Sequence, residues 1–357
     1  MNSTARILAL YLPQYHPIPE NEIWWRKGFT EWTNVGKARR YFRGHYQPRV
    51  PADLGYYDLR VPETRQAQAD MARDHSIEGF CYWHYWFGNG KRLLELPFNE
   101  VLKSGKPDFP FCLAWANESW KGFEYGASGR NLLIEQKYPG KQDIDAHFEE
   151  VLPALLDKRY ITVDGKPLFM LFRPENLPDA PQFIERWQNL AIINGLKGIH
   201  FVGHTYCPWQ KQLILDKGFD AVNIVRLLDC FKTESFQSKI YRKLFSRPNM
   251  VSYKKAINFL VDQDESEEYC YPTLIPNFDH TPRTGSKGFL LHHSTPSLFE
   301  VHVKEVLKVV ENKKEEHKII FLKSWNEWAE GNYIEPDLKF GLEYLQVIKR
   351  NLGKKAE

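Results

Sequence analysis

The stretch Ile319-Ile320-Phe321-Leu322-Lys323-Ser324-Trp325-Asn326-Glu327-Trp328-Ala329-Glu330-Gly331 passes from four apolar residues straight into an aromatic, acidic loop. A short β-rich apolar run bounded by loop residues reads as a buried strand. The same unit recurs upstream, with strands predicted at 7–12, 77–83, 109–115, 168–172, 199–203, 221–225 and 271–276, the last weakened by Pro272 and Pro276. Helical patterns lie between them, at 63–75, 92–104, 143–158, 181–194, 253–263 and 297–312. Eight strands alternating with helices predict a (β/α)8 TIM barrel, with residues 1–357 forming one catalytic domain. A doubly wound sheet is the alternative, but no GxGxxG follows the first strand.

The bulk numbers agree with a large α/β domain. The chain has 357 residues, 43% apolar and 26% charged, enough for a substantial core. Its net charge of +3 is too small to argue for nucleic acid. Five scattered cysteines without a CxxC read as reduced core residues, and no apolar run has the length of a signal or membrane segment. A cytoplasmic location is the expectation. Two insertions interrupt the alternation. Residues 13–58 contain no clear regular element, and a loop that long is usually functional. Residues 226–252 carry Lys232, Lys239, Arg242, Lys243 and Arg247 beside Phe236, Ile240 and Leu244 at helical spacing. Either 232–247 is a basic amphipathic face offering peripheral membrane contact, or it is a solvated helix packed by its apolar stripe.

Barrel enzymes build their sites from loops at the C-terminal ends of strands. Here those ends collect Tyr15; His84 and Trp86; Trp115, Asn117, Glu118 and Trp120; His204 and Tyr206; Asp279; and Glu327, Trp328 and Glu330. Paired carboxylates make and break glycosidic bonds, and indole faces suit the apolar side of a sugar. The bland reading of Glu327 and Glu330 is loop carboxylates beside core indoles. Glu118 would bind hydroxyls or merely hydrogen-bond the loop. Glu31, in Thr30-Glu31-Trp32, either reaches the site from the first insertion or braces it. His84, His204 and His280 could bind hydroxyls, and Arg283 could pair with Asp279 or hold an acidic sugar. No cofactor or metal is expected, since no histidine pair has the spacing of a zinc motif.

Four runs carry a family resemblance: Leu12-Pro13-Gln14-Tyr15-His16-Pro17-Ile18-Pro19-Glu20-Asn21, Gly28-Phe29-Thr30-Glu31-Trp32-Thr33-Asn34-Val35, Trp115-Ala116-Asn117-Glu118-Ser119-Trp120 and Trp325 to Gly331. Together they resemble the WbsX family, also described as glycoside-hydrolase-family-99-like. The resemblance implies a barrel acting on bacterial polysaccharide, with a carbohydrate as its substrate. Family 99 proper contains retaining endo-α-mannosidases. By that likeness Glu327 would deprotonate the substrate's own 2-hydroxyl, and Glu330 would protonate the leaving oxygen and then activate water. That role asks for a raised pKa on Glu330, which the tryptophans would supply. The insertion around Trp24-Trp25 and Gly28 to Val35 follows the WbsX pattern and not the mannosidases, so mannose specificity does not carry over. The alternative function is a glycosyltransferase of lipopolysaccharide, O-antigen or capsule biosynthesis, although no DxD motif is visible.

Overall fold

A computed structural model describes residues 5–122, 131–231 and 244–352. Its centre is a parallel sheet curled into a nearly closed barrel. The strands are β1 (Arg6–Tyr11), β2 (Gly79–His84), β3 (Phe111–Trp115), β4 (Lys166–Leu171), β5 (His200–Thr205), β6 (Ala221–Ile224), β7 (Cys270–Tyr271 with Thr273–Leu274) and β8 (Ile319–Leu322). Each pairs in parallel with its sequence neighbour, and β1 pairs with β8 in the register Arg6↔Ile319 to Ala9↔Leu322. The two prolines foreseen in β7 have a specific result. Pro272 has no N–H to give, and the strand changes partner around it. Cys270–Tyr271 pairs with β6, while Thr273–Leu274 pairs with β8. The Pro272 carbonyl still accepts the Phe321 N–H at 3.0 Å, so the strand carries the ring across.

Helices Pro62–Asp74, Leu96–Ser104, Lys141–Leu155, Ala180–Ile193 and Pro296–Val310 wrap the barrel where they were expected. Three readings need correction. The helix expected at 253–263 is helical only over Tyr253–Ala256 and relaxes into the 3-10 turn Ile257–Phe259. Residues 13–58 hold two short helices, Pro19–Trp24 and Glu31–Gly36, the second opened by a Thr30/Thr33 capping box. Helix Glu343–Leu352 was not foreseen; it buries Tyr344, Leu345, Val347, Ile348 and Leu352 against Pro296–Val310. Residues 232–243 of the proposed basic face lie outside the described residues; beside them Leu244 and Phe245 are exposed. No helix among the described residues is long and apolar enough to cross a membrane.

Candidate active site

The loop after β8 is a tight hairpin in which Asn326–Glu327 pairs with Asn332–Tyr333 around Gly331, whose φ of +56° suits glycine. Asn326 fastens it to the barrel. Its Oδ1 accepts the Leu12 N–H at 2.8 Å and its Nδ2 donates to the Leu12 carbonyl at 3.0 Å, so a side-chain amide stands in for a backbone rung. The Tyr15 hydroxyl donates to the Asn326 carbonyl and accepts from Trp328 N at 3.2 Å. Ser324 Oγ accepts from Glu327 N at 3.1 Å and donates to the Asn332 carbonyl at 2.6 Å. The hairpin thereby presents both carboxylates at the C-terminal mouth.

Both meet Arg283, which rides the helical turn Thr281–Thr284 after β7. Its Nη1 donates to Glu330 Oε1 and to Glu327 Oε1, the latter at 3.3 Å, and its Nη2 lies 3.3 Å from Glu31 Oε2. One guanidinium therefore gathers three carboxylates, Glu31 and Glu327 buried and Glu330 partly so, one of them delivered by the long first loop. Lys323, buried at the end of β8, faces the same pair and Tyr206. His280 Nε2 stands 3.6 Å from Glu330 Oε1.

The pair titrates unequally. Burial, and then the charge of Glu330, push Glu327 upward against Lys323 and Arg283. Burial also opposes ionisation of Glu330, but Arg283, Lys323 and His280 outweigh it and hold Glu330 well below the usual carboxylate range. This corrects the expectation of a raised Glu330. The cations lie beside Glu330, while the indoles face elsewhere. Trp325 packs into the core on Phe80. Trp328 is buried, stacks on Tyr333 at 3.7 Å and donates Nε1 to Glu335 Oε2 at 2.6 Å, so it offers no face to a sugar.

Several expected binding residues are engaged in contacts within the fold. His84 and His147 meet Nε2 to Nε2 at 2.8 Å behind the barrel wall. Trp86 stacks on His147, and Trp115 Nε1 donates to the Trp86 carbonyl at 2.9 Å, both outside the mouth. Asn117 is a second backbone clamp: its Oδ1 accepts Arg173 N at 2.8 Å and its Nδ2 donates to the Arg173 carbonyl at 2.8 Å, joining the ends of β3 and β4. Asp279 is spent on His45, Gln47 and Thr281. Tyr15, fully buried, braces the hairpin.

Others do converge. Glu31 reaches the pair. Glu118 sits at the rim against Arg173 at 3.4 Å, raised by burial and sensing Glu330. Tyr206 borders Lys323 and Glu330, and His204 lies beside it inside the barrel, its Nδ1 against Asn223. Trp120 makes edge contacts with Tyr85 and Trp24. The residues the expectation missed are Arg283 in its gathering role, Lys323 and Tyr85. Tyr85 has Glu327, Arg283, Glu31 and Glu118 as electrostatic neighbours. Strand alternation could have found it, since side chains two apart share a face and 83/85 oppose 84/86.

Residues 7–348 match the family model described as Glycosyltransferase WbsX. Two curated relatives, each named Uncharacterized protein WxcX, come from Xanthomonas campestris pv. campestris strains ATCC 33913 and B100. Both are 34% identical over 353 residues, which is 98% of this chain and 50% of theirs. The chain thus spans about half the length of the curated relatives it matches. Among solved structures, a glycoside hydrolase-like protein superposes with a TM-score of 0.62 at 16% identity, covering 98% of this chain and 94% of its own. The GH99 endo-alpha-mannosidase from Bacteroides thetaiotaomicron superposes with a TM-score of 0.57 at 14% identity, covering 97% and 96%. At these identities the likeness shows the barrel fold.

Proposed function

This chain belongs to the family described as Glycosyltransferase WbsX, and we propose that its barrel is a carbohydrate-active enzyme cleaving α-glycosidic bonds in a bacterial polysaccharide or oligosaccharide with retention. One observation carries the reading: two carboxylates of opposed proton affinity share one guanidinium at the C-terminal end of β8. Because a single Nη1 serves both, their nearest oxygens lie under about 6 Å apart, short of the roughly 6.5–9.5 Å that seats a water in inverting enzymes.

Glu327 takes the proton of the substrate's 2-hydroxyl as O2 attacks C1 and the glycosidic C1–O bond breaks, and Glu330 protonates the departing oxygen. Glu330, now a carboxylate, next takes a proton from water. That water opens the anhydro ring at C1, and Glu327 returns its proton to O2. In the free protein Glu327 has the higher proton affinity of the two, so the roles require Glu330 to gain affinity when substrate arrives. A sugar oxygen that draws Arg283 away from Glu330 removes the main force holding Glu330 ionised. Trp120, Tyr85 and Tyr206 are the nearest candidates for ring contacts, with Glu118 and His204 for hydroxyls.

The test is fragment release from surface polysaccharides and α-linked oligosaccharides, without added nucleotide or metal. Release by wild type that is lost in Glu327→Gln supports the pair. On aryl glycosides whose leaving group needs no protonation, Glu330→Gln should keep the first release of aglycone that Glu327→Gln loses, with water attack slowed; the reverse pattern exchanges the roles. The family description favours a second reading, a glycosyltransferase, for which lipopolysaccharide, O-antigen or capsule assembly is the setting we propose. Turnover appearing only with a sugar nucleotide would establish that reading and end the hydrolase one.

A further inference from the structure

Beside the carboxylate pair, behind Asp279 and Gly331, lies a cavity of about 40 Å³. At roughly 10–15 Å³ per water it has room for about three waters, the bulk of a small oxyanion. Its polar lining is lopsided. The acceptors are occupied: Asp337 takes the Tyr333 hydroxyl at 2.6 Å and the N–H groups of Lys339 and Phe340 at 3.0 and 2.8 Å. Asp279 is held by His45, Gln47 and Thr281, the third lining carboxylate, Glu335, accepts from Gln68, Tyr57 and Trp328, and Asn277 Oδ1 is held by Arg49 Nη1.

The donors are only partly used: Arg49 Nη1 is committed to Asn277 and Gly331, and its guanidinium lies 5.5 Å from the centroids of the Tyr46 and Tyr333 rings. Arg49 is 93% buried, yet its Nε has no hydrogen-bond partner. Lys339 Nζ lies 4.5 and 4.6 Å over the Tyr46 and Phe340 rings and has no carboxylate partner among the described residues. His292 and His293 stand with ring centroids 3.8 Å apart on the same wall. A neutral sugar needs acceptors for its hydroxyl protons, whereas an oxyanion offers acceptors alone. We propose that this cavity binds a small oxyanion, phosphate or the phosphate group of a larger molecule, between Arg49 and Lys339. Arg49 Nη1 also donates to the Gly331 carbonyl at 3.0 Å, so the bound anion rests on the back of the hairpin that carries Glu330. The proposal concerns binding and stands apart from the reaction assigned to the pair.

Isothermal titration of the full chain with inorganic phosphate at fixed ionic strength tests it, with α-glucose 1-phosphate and UDP in parallel arms. The expected result is saturable binding of at least one of the three, weakened tenfold or more by Lys339→Met, whose side chain is exposed, and abolished by Arg49→Met. Arg49 is buried, so its variant counts only with an unchanged melting curve; His293→Ala serves in its place if it misfolds. Tighter binding of glucose 1-phosphate or UDP, equally sensitive to Lys339→Met, identifies the oxyanion as one end of a larger ligand. No saturable heat in any arm, or binding indifferent to Lys339→Met and His293→Ala, overturns the site.

Discussion

Glu327→Gln should stabilise the protein at neutral pH and leave it unchanged near pH 4. The Glu327 carboxyl is pushed up to about 7, from an ordinary value of 4.5, by burial and by Glu330. Below 4.5 the folded and unfolded chains both hold that proton, and the group favours neither. Between 4.5 and about 7 the unfolded chain releases it while the folded chain keeps it, so folding loses stability as pH rises. Above about 7 the loss is complete. A shift of that size is worth about 3 kcal/mol at 1.36 kcal/mol per unit. This is a ceiling, because the amide also removes one of the two anions facing Arg283 and Lys323. A chain of this length gains roughly 2 °C per kcal/mol, so the variant should melt roughly 2–6 °C higher at pH 8 and level with wild type at pH 4. Calorimetric melts of both proteins from pH 4 to pH 8 measure it. A difference independent of pH, or a lower melting point at pH 8, would refute the reasoning. On the proposed mechanism the stabilised variant is inactive, the usual trade between site chemistry and stability.

Tyr85→Phe should lower turnover, whereas His84→Leu should leave kcat and KM unchanged and cost about 1–3 kcal/mol through the orphaned His147; activity lost in the second and kept in the first would reverse the assignment of faces. Asn326→Ala strands a buried N–H and carbonyl of Leu12 and should cost about 2–4 kcal/mol in denaturant unfolding, so an unchanged midpoint would show that the clamp is dispensable. In Gly331→Ala the new Cβ would lie 2.7 Å from Asp279 Cβ and 2.9 Å from Asp279 N, at a φ of +56°. The hairpin must shift, and kcat should fall on the order of 10²-fold, with assay of the folded variant as the check.

The barrel was legible because its strands are apolar, β-rich runs with no helical period, and every one of the eight lies where such a run does. What the runs could not reveal is pairing, and Pro272 is the example: its meaning as a change of partner depends on which strands flank it. Helix Glu343–Leu352 escaped notice although its buried positions follow a helical period, because they alternate with charges just beyond the conspicuous acidic motif. In the site, the sequence indicates which loops follow the strands but not which face each side chain takes. Trp83-His84-Tyr85-Trp86 is uniformly aromatic, so composition cannot say which pair looks inward, and only the pleat decides. Asn117 looks like a hydroxyl-binding amide in sequence, yet it and Asn326 each satisfy the backbone at the end of a neighbouring strand. Neither use leaves a mark on the residue type.

The first insertion shows why so long a loop is built around this barrel. A carboxylate pair stays unequal only where water does not level it, and keeping three carboxylates, Arg283 and Lys323 dry is costly unless each is paired. The loop performs both tasks. Trp32 packs on Trp328 at 5.7 Å and Tyr15 ties the backbone of Asn326 and Trp328, closing the wall behind the hairpin. Glu31, from the same segment, takes the second arm of Arg283. Without that third carboxylate the guanidinium would be free to centre on Glu327 and Glu330 alike, and the asymmetry between them would shrink. The loop therefore adds, through burial and Glu31, to a difference in proton affinity that Arg283, Lys323 and the pair's own charge chiefly create.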